Sequence, residues 1–187
     1  MSLNITARAC QLGASINTRT EKHGAEDVPA CDIPLAGLML DADELRALAE
    51  DPYIDVALFT EKAGHWEPNL AQFHPLYLNR KLAQATVTIT LSTTGKGKVL
   101  KLENCKLKDL ALTPQSGGST SLALKVQMAG DDMPKTVGLL CEHLLGHITV
   151  EITDAITEQK RAGGQQELPI HNAGGGGNAA EPEAEAA

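Results

Sequence analysis

Aromatic side chains are scarce in this chain, and recognisable catalytic motifs are absent. Only 3% of its 187 residues are Phe, Trp or Tyr. A core drawn from the 42% hydrophobic content must therefore be built from Leu, Val, Ile and Ala. No apolar run approaches the roughly 20 residues that a membrane-spanning helix needs. The opening MSLNITARACQLG has neither a charged leader nor a continuous apolar stretch, so no signal peptide is expected and the chain reads as cytoplasmic. Cys10, Cys31, Cys105 and Cys141 are far apart with no C-x-x-C pair, and in a reducing compartment such residues serve as small buried hydrophobes. The histidines are scattered too. His143 and His147 are four apart, but Gly146 ends a helix between them, so no metal site is expected. There is no nucleophile elbow, phosphate loop, zincin helix or calcium loop. Gly95-Lys-Gly97-Lys98 joins two strands with no helix N-terminus after it, so it reads as a hairpin turn. Neither an enzyme nor a cofactor is expected.

Positive charge, by contrast, is concentrated. The chain carries a formal charge of −8, yet residues 80–108 sum to +6, while 1–79, 109–153 and 154–187 sum to −7, −3 and −4. The cations are Arg80, Lys81, Lys96, Lys98, Lys101, Lys106 and Lys108, against Glu103 alone. Such a segment either presents a basic surface to a polyanion or forms an ordinary solvated, lysine-rich sheet face.

Patterning gives an α+β, β-rich domain over residues 1–154, with about seven strands and two short helices, and a linker and tail over 155–187. The architecture is a single antiparallel sheet or barrel, OB-like barrels included, or a small sandwich. The first forty residues read as two strands, with polar Asn17–Asp27 as a loop or hairpin tip. Cys31, Ile33, Leu35, Gly37 and Met39 alternate on one face, and Pro29 and Pro34 argue for an edge strand. Asp41-Ala-Asp-Glu44 has capping-box spacing and opens a helix that Pro52 stops. Residues 53–59 suit a short helix or a strand, and 60–80 an irregular connection. Strands follow through 83–91, 98–104, 107–112, with a bulge expected between Leu107 and Leu110, and 122–128. Asp132 and Pro134 open a second helix ending near Gly146, and Ile148, Val150 and Ile152 make a last strand. Residues 162–187, rich in Gly, Ala, Gln and Glu, are too polar to order, so the C-terminal tail is expected to be disordered.

All five aromatic residues, Tyr53, Phe59, Trp66, Phe73 and Tyr77, fall within 25 consecutive positions just before the basic segment. Proteins that hold single strands combine a cationic groove with rings on which bases stack. Phe59, Phe73 and Tyr77 also suit a core under an irregular loop, whereas Trp66, beside Gly64 and Pro68, is expected at the surface. If the apolar sets point inward, Lys101, Lys106, Lys108 and Lys125 point outward beside Thr86, Thr88, Thr90 and Gln127, a set suited to phosphate contacts.

The spacer Gly174–Gly177 and the ending Glu181-Pro-Glu183-Ala-Glu185 are similar in organisation to the flexible linker and acidic terminus of single-stranded DNA-binding proteins, without their usual aromatic end. That resemblance implies a tail that competes for the basic groove and docks a replication or recombination protein. Asn17–Gly24, Val28–Ile33 and Leu112–Gly118 together resemble small uncharacterised proteins of tailed phages and prophages, seen near replication and recombination genes. That likeness implies a phage-related origin, with the host cytoplasm as location, and carries over no functional residue. The leading expectation is a non-enzymatic protein that binds single-stranded nucleic acid, DNA above all. Arg80, Lys81, Lys96, Lys98, Lys101, Lys106 and Lys108 would track the backbone, and Trp66 and Tyr77 would stack on bases. The alternative is a protein–protein module, such as a phage inhibitor of a host defence nuclease or a small virion component. Pairing of edge strands would also make a homo-oligomer easy to form.

Overall fold

The computed structural model describes residues 2–23, 25–69, 75–92 and 97–157. In chain order the elements are β1 (Ser2–Leu12), β2 (Asn17–His23), β3 (Glu26–Leu40), α1 (Ala42–Ala49), α2 (Ile54–Leu58), β4 (Phe59–Lys62) and β5 (His65–Pro68). There follow β6 (Leu76–Leu78), β7 (Leu82–Thr90), β8 (Val99–Gln115), β9 (Ser119–Ala129), α3 (Met133–Cys141) and β10 (His147–Thr157). Residues 158–187 of the expected linker and tail, Lys96 and Phe73 lie outside the described residues, whereas 155–157 belong to β10, with Ala155 buried in the core.

Six strands form an antiparallel ring in the order β1-β10-β7-β8-β9-β3, and β3 returns to β1 through Gln11↔Ala36 and Leu12↔Leu35. Of the architectures the pattern allowed, the chain adopts the closed barrel. A six-strand barrel is narrow, so its interior must be filled with side chains. Ile5, Leu12, Ile33, Leu35, Ile89, Leu107, Leu110, Leu112 and Leu122 do so, fully buried. Three small thiols, Cys10, Cys31 and Cys105, are buried among them. Burial alone pushes the Cys10 thiol up to about 12.

Bulges let these strands coil around so tight a ring. Gln84, Asn104, Asp109 and Asp154 all take positive φ within β7, β8 and β10. Asn104 and Asp109 each add one residue to β8, and the register shifts with them. The bulge expected between Leu107 and Leu110 is thus at Asp109. The segments 98–104 and 107–112, read from sequence as two strands, are one strand of 17 residues.

β3 differs from expectation in two respects. It is not an edge, because β2 pairs with one side of it and β9 with the other. Its prolines are tolerated because each faces a place where the neighbouring strand has run out. Pro29 turns its backbone toward Gly130, just past the end of β9, and Pro34 toward Gly13, between β2 and the closing pairs with β1. Gly37 (φ 81°) and the register shift between Leu35 and Leu38 reverse the parity, so Leu38 and Leu40 are buried while Gly37 and Met39 leave the core face. The first forty residues therefore hold three strands, and the described residues hold ten strands and three helices.

The helices sit at opposite ends of the ring. α3 links β9 to β10 and buries Met133 and Leu140 at one end. It stops at Cys141, short of the expected Gly146, and a turn through left-handed Leu145 leads into β10. At the other end lie α1, α2 and the β4–β5 hairpin, which link β3 to β6. α1 starts on the expected capping box: Asp41 accepts from the Glu44 amide at 2.8 Å, and Glu44 accepts from the Asp41 amide at 3.0 Å. Arg8 of β1 holds this start in place through Asp41 and Glu44, each at 3.0 Å.

Candidate nucleic-acid interface

β8 strings the candidate residues along one line. Lys98 precedes it, Lys101, Lys106 and Lys108 lie along its outer face, Ala111 stands opposite Tyr77 of β6, and Gly118, just past its end, supports Trp66. At about 3.3 Å per residue the line spans roughly 50–60 Å. The bulge at Asn104 puts Lys101 on the parity of Lys106 and Lys108, and the bulge at Asp109 brings Ala111 onto the same face. Cross-strand neighbours on that face are Thr88 for Lys101, Gln127 for Lys106 and Lys125 for Lys108, as the alternation in the sequence implied.

Most of the lysines along this line have an anionic partner. Lys101 pairs with Glu103 at 2.7 Å, Lys125 with Asp109 at 2.8 Å, and Lys108 with Asp32 at 2.9 Å. Arg80 binds Glu50 and donates to the Leu48 carbonyl at 2.8 Å, so its guanidinium ties the link between β6 and β7 to the end of α1. Lys106 is also engaged. Among the described residues Lys81 and Lys98 are exposed without an ion-pair partner, and Lys96 is outside them. The hydrogen bonds that Lys101 and Lys125 donate to Glu103 and Asp109 raise the affinity of both lysines for their protons, so both stay charged at neutral pH.

Asp32 is the centre of this electrostatic arrangement, a role the sequence did not single out. It alternates outward between Cys31 and Ile33, yet its side chain is only 11% exposed because Arg19 and Lys108 cover it. Arg19 Nη1 lies 2.8 Å from Oδ1, a charge contact without full hydrogen-bond alignment. Burial pushes the Asp32 carboxyl up. The hydrogen bond from Lys108 and the charges of Lys108 and Arg19 outweigh that and hold it below the ordinary 3.8. Glu21 completes the arrangement, pairing with Arg19 and accepting from Gln127 at 2.7 Å.

The aromatic residues divide by position. Phe59 is buried at the foot of the barrel, as a core reading requires. Tyr77 is 69% exposed and Trp66 46% exposed, so the core reading of Tyr77 does not hold. Its register partner Ala111 alternates with the inward Leu110 and Leu112 of β8, so Tyr77 shares the outer face of the sheet. Trp66 is held in place from below. Its carbonyl accepts from the Gly117 amide at 3.0 Å, and a Cβ on Gly118 would come within 3.2 Å of it. Tyr53, 73% exposed beside the capless start of α2, is a third surface ring that sequence reasoning missed. Its position after Pro52, inside the aromatic-rich stretch, was the available signal.

No three His, Cys, Asp or Glu side chains among the described residues are grouped to hold a metal ion. None of the described helices is long and apolar enough to cross a membrane. The fold and this face define a closed antiparallel β-barrel with an aliphatic core and surface aromatic rings along a lysine-bearing strand. Comparison of the chain with family models, with curated proteins and with solved structures finds no match.

Proposed function

We propose that this protein is a non-enzymatic binder of single-stranded nucleic acid, DNA above all, and that the strand follows β8. One observation carries the reading. In a chain with five aromatic residues, at least three rings are in solvent, and two of them, Tyr77 and Trp66, adjoin the one strand that gathers the lysines. An exposed ring gains little from water and gains about 1–3 kcal/mol when a base stacks on it. Lys81 and Lys98 supply free cations for phosphates. Lys101 and Lys108 contribute by exchanging a carboxylate partner for a phosphate, so their effect is smaller. Replication or recombination in a phage setting is the context that the sequence resemblance supports.

The test is a labelled oligonucleotide, single- and double-stranded, titrated across a salt series while following the fluorescence of Trp66, the only tryptophan. The reading expects quenching and tighter binding of the single strand, with affinity falling as salt rises. No binding at low salt sinks it.

A second reading has its own observation. Tyr53 and Val56 leave α2 exposed on the barrel end that also carries the β4–β5 hairpin, a surface suited to a protein partner. Oligonucleotide binding that is absent, together with a stable protein complex that Tyr53→Ser weakens, would favour it.

A further inference from the structure

The ring closes where β1 meets β3 at Gln11 and Leu12, and the sheet continues past it: β2 pairs with β3 and, among the described residues, with nothing on its other side. Which backbone groups it offers there follows from the prolines. In an antiparallel ladder the N–H and C=O of one residue point to the same side, and the next residue points the other way. Pro29 faces Gly130 on the β9 side, and Pro34, five residues on, faces Gly13 on the opposite side, which agrees with strict alternation. Ala30, Asp32 and Val28 therefore face β2 and bond Arg19, Asn17 and Glu21, their register partners. Thr18, Thr20 and Lys22 must turn their N–H and C=O groups outward, and all three are exposed.

We propose that β2 is a self-pairing edge: two copies of the chain join antiparallel along it, with the two-fold axis through Thr20. This goes beyond the nucleic-acid reading and does not depend on it. In that register Thr20 meets Thr20 of the second copy, and Thr18 meets Lys22 in both directions. Every outward backbone group of these three residues then finds a partner. The side chains agree. Arg19 and Glu21 share the outer face, and the axis sets Arg19 of one copy against Glu21 of the other, giving two opposite-charge pairs in place of the present contact within one strand. A two-residue slip would lose this match and would set Lys22 against Thr20 or leave it unpaired. Lysine on an edge ordinarily discourages pairing, but here each Lys22 faces a threonine. The contact is isologous, so it closes at two copies and does not continue as a fibre. It joins the two outer faces into one surface on the same side of the extended sheet.

Sedimentation of the full chain over a concentration series tests the dimer, and cysteine cross-linking tests the register. Thr20→Pro removes an N–H that pairs with no strand among the described residues, so it should weaken the dimer by about tenfold or more while near-ultraviolet circular dichroism is unchanged. In a Cys141→Ser background, which removes the exposed native thiol, Thr20→Cys should give a disulfide dimer under mild oxidation. The facing Cα atoms of such a pair lie about 5.5 Å apart, within disulfide range. Thr18→Cys alone should not cross-link, and Thr18→Cys with Lys22→Cys should. A monomer at every concentration, or a dimer indifferent to Thr20→Pro, overturns the proposal. Cross-linking through Thr18→Cys alone overturns the register.

Discussion

The two ends of the barrel are closed in different ways. At the α3 end the closure is aliphatic: Met133 and Leu140 are buried, Val137 and Leu144 pack against the core, and no aromatic ring among the described residues is buried there. At the other end α1 contributes Leu45 and Leu48, and the chain then builds α2, a hairpin and β6 before it returns to the ring as β7. That excursion holds all five aromatic residues and buries one of those that are described, Phe59. One end is organised for packing. The other end holds rings in solvent, the surface on which the proposed binding rests.

The largest effect should come from the packed end. Leu140→Ala, at a fully buried site, should cost about 2–5 kcal/mol, read as a lower urea midpoint, and leave oligonucleotide binding intact at temperatures where the variant is folded. Next is the charge centre on the face between the ends. Asp32→Asn leaves Lys108 and Arg19 without their shared anion and should cost about 2 kcal/mol at neutral pH. Because the folded carboxyl titrates below 3.8, its contribution is complete above that value and is lost as pH falls through the folded value. The gap between wild type and Asp32→Asn should therefore narrow on acidification, in urea titrations at pH 7 and pH 3. A constant gap would show that the ion pairs are not its source.

The aromatic end should behave in the opposite manner. Tyr77→Ala and Trp66→Ala should each weaken single-strand binding by about 1–3 kcal/mol and shift the urea midpoint little, Tyr77 least. A large stability loss with unchanged binding would reverse the contrast between the ends. The smallest effect distinguishes the lysines. Lys98→Gln should lower the salt slope of binding by about one and leave stability alone, whereas Lys108→Gln should lower stability through Asp32.

Much of the barrel wall was legible because inward and outward residues alternate: Val87, Ile89, Leu122, Leu124, Val126, Ile148, Val150 and Ile152 follow period two and are all buried. The capping box of α1 was legible because Asp41 and Glu44 need only each other's backbone. The edge reading of β3 failed because a proline reports only that one backbone group lacks a partner. Where neighbouring strands end is a property of other parts of the chain. The lysine face was legible by parity, but its neutralisation was not, since Asp32 lies 76 residues from Lys108 in sequence.

The sequence by itself determined the material of this protein: an aliphatic, strand-forming core, a basic segment and a cluster of rings beside it. These follow from composition and local period, which each residue carries wherever it sits. Only the tertiary structure decided that the sheet closes on itself, that the bulge at Asn104 puts the lysines of β8 on one face, and that Asp32 binds two of the cations. It also decided that Tyr77 stays outside the core while β2 stays outside the ring. Those outcomes depend on which distant strands become neighbours, and strand pairing is a long-range choice that no local pattern encodes.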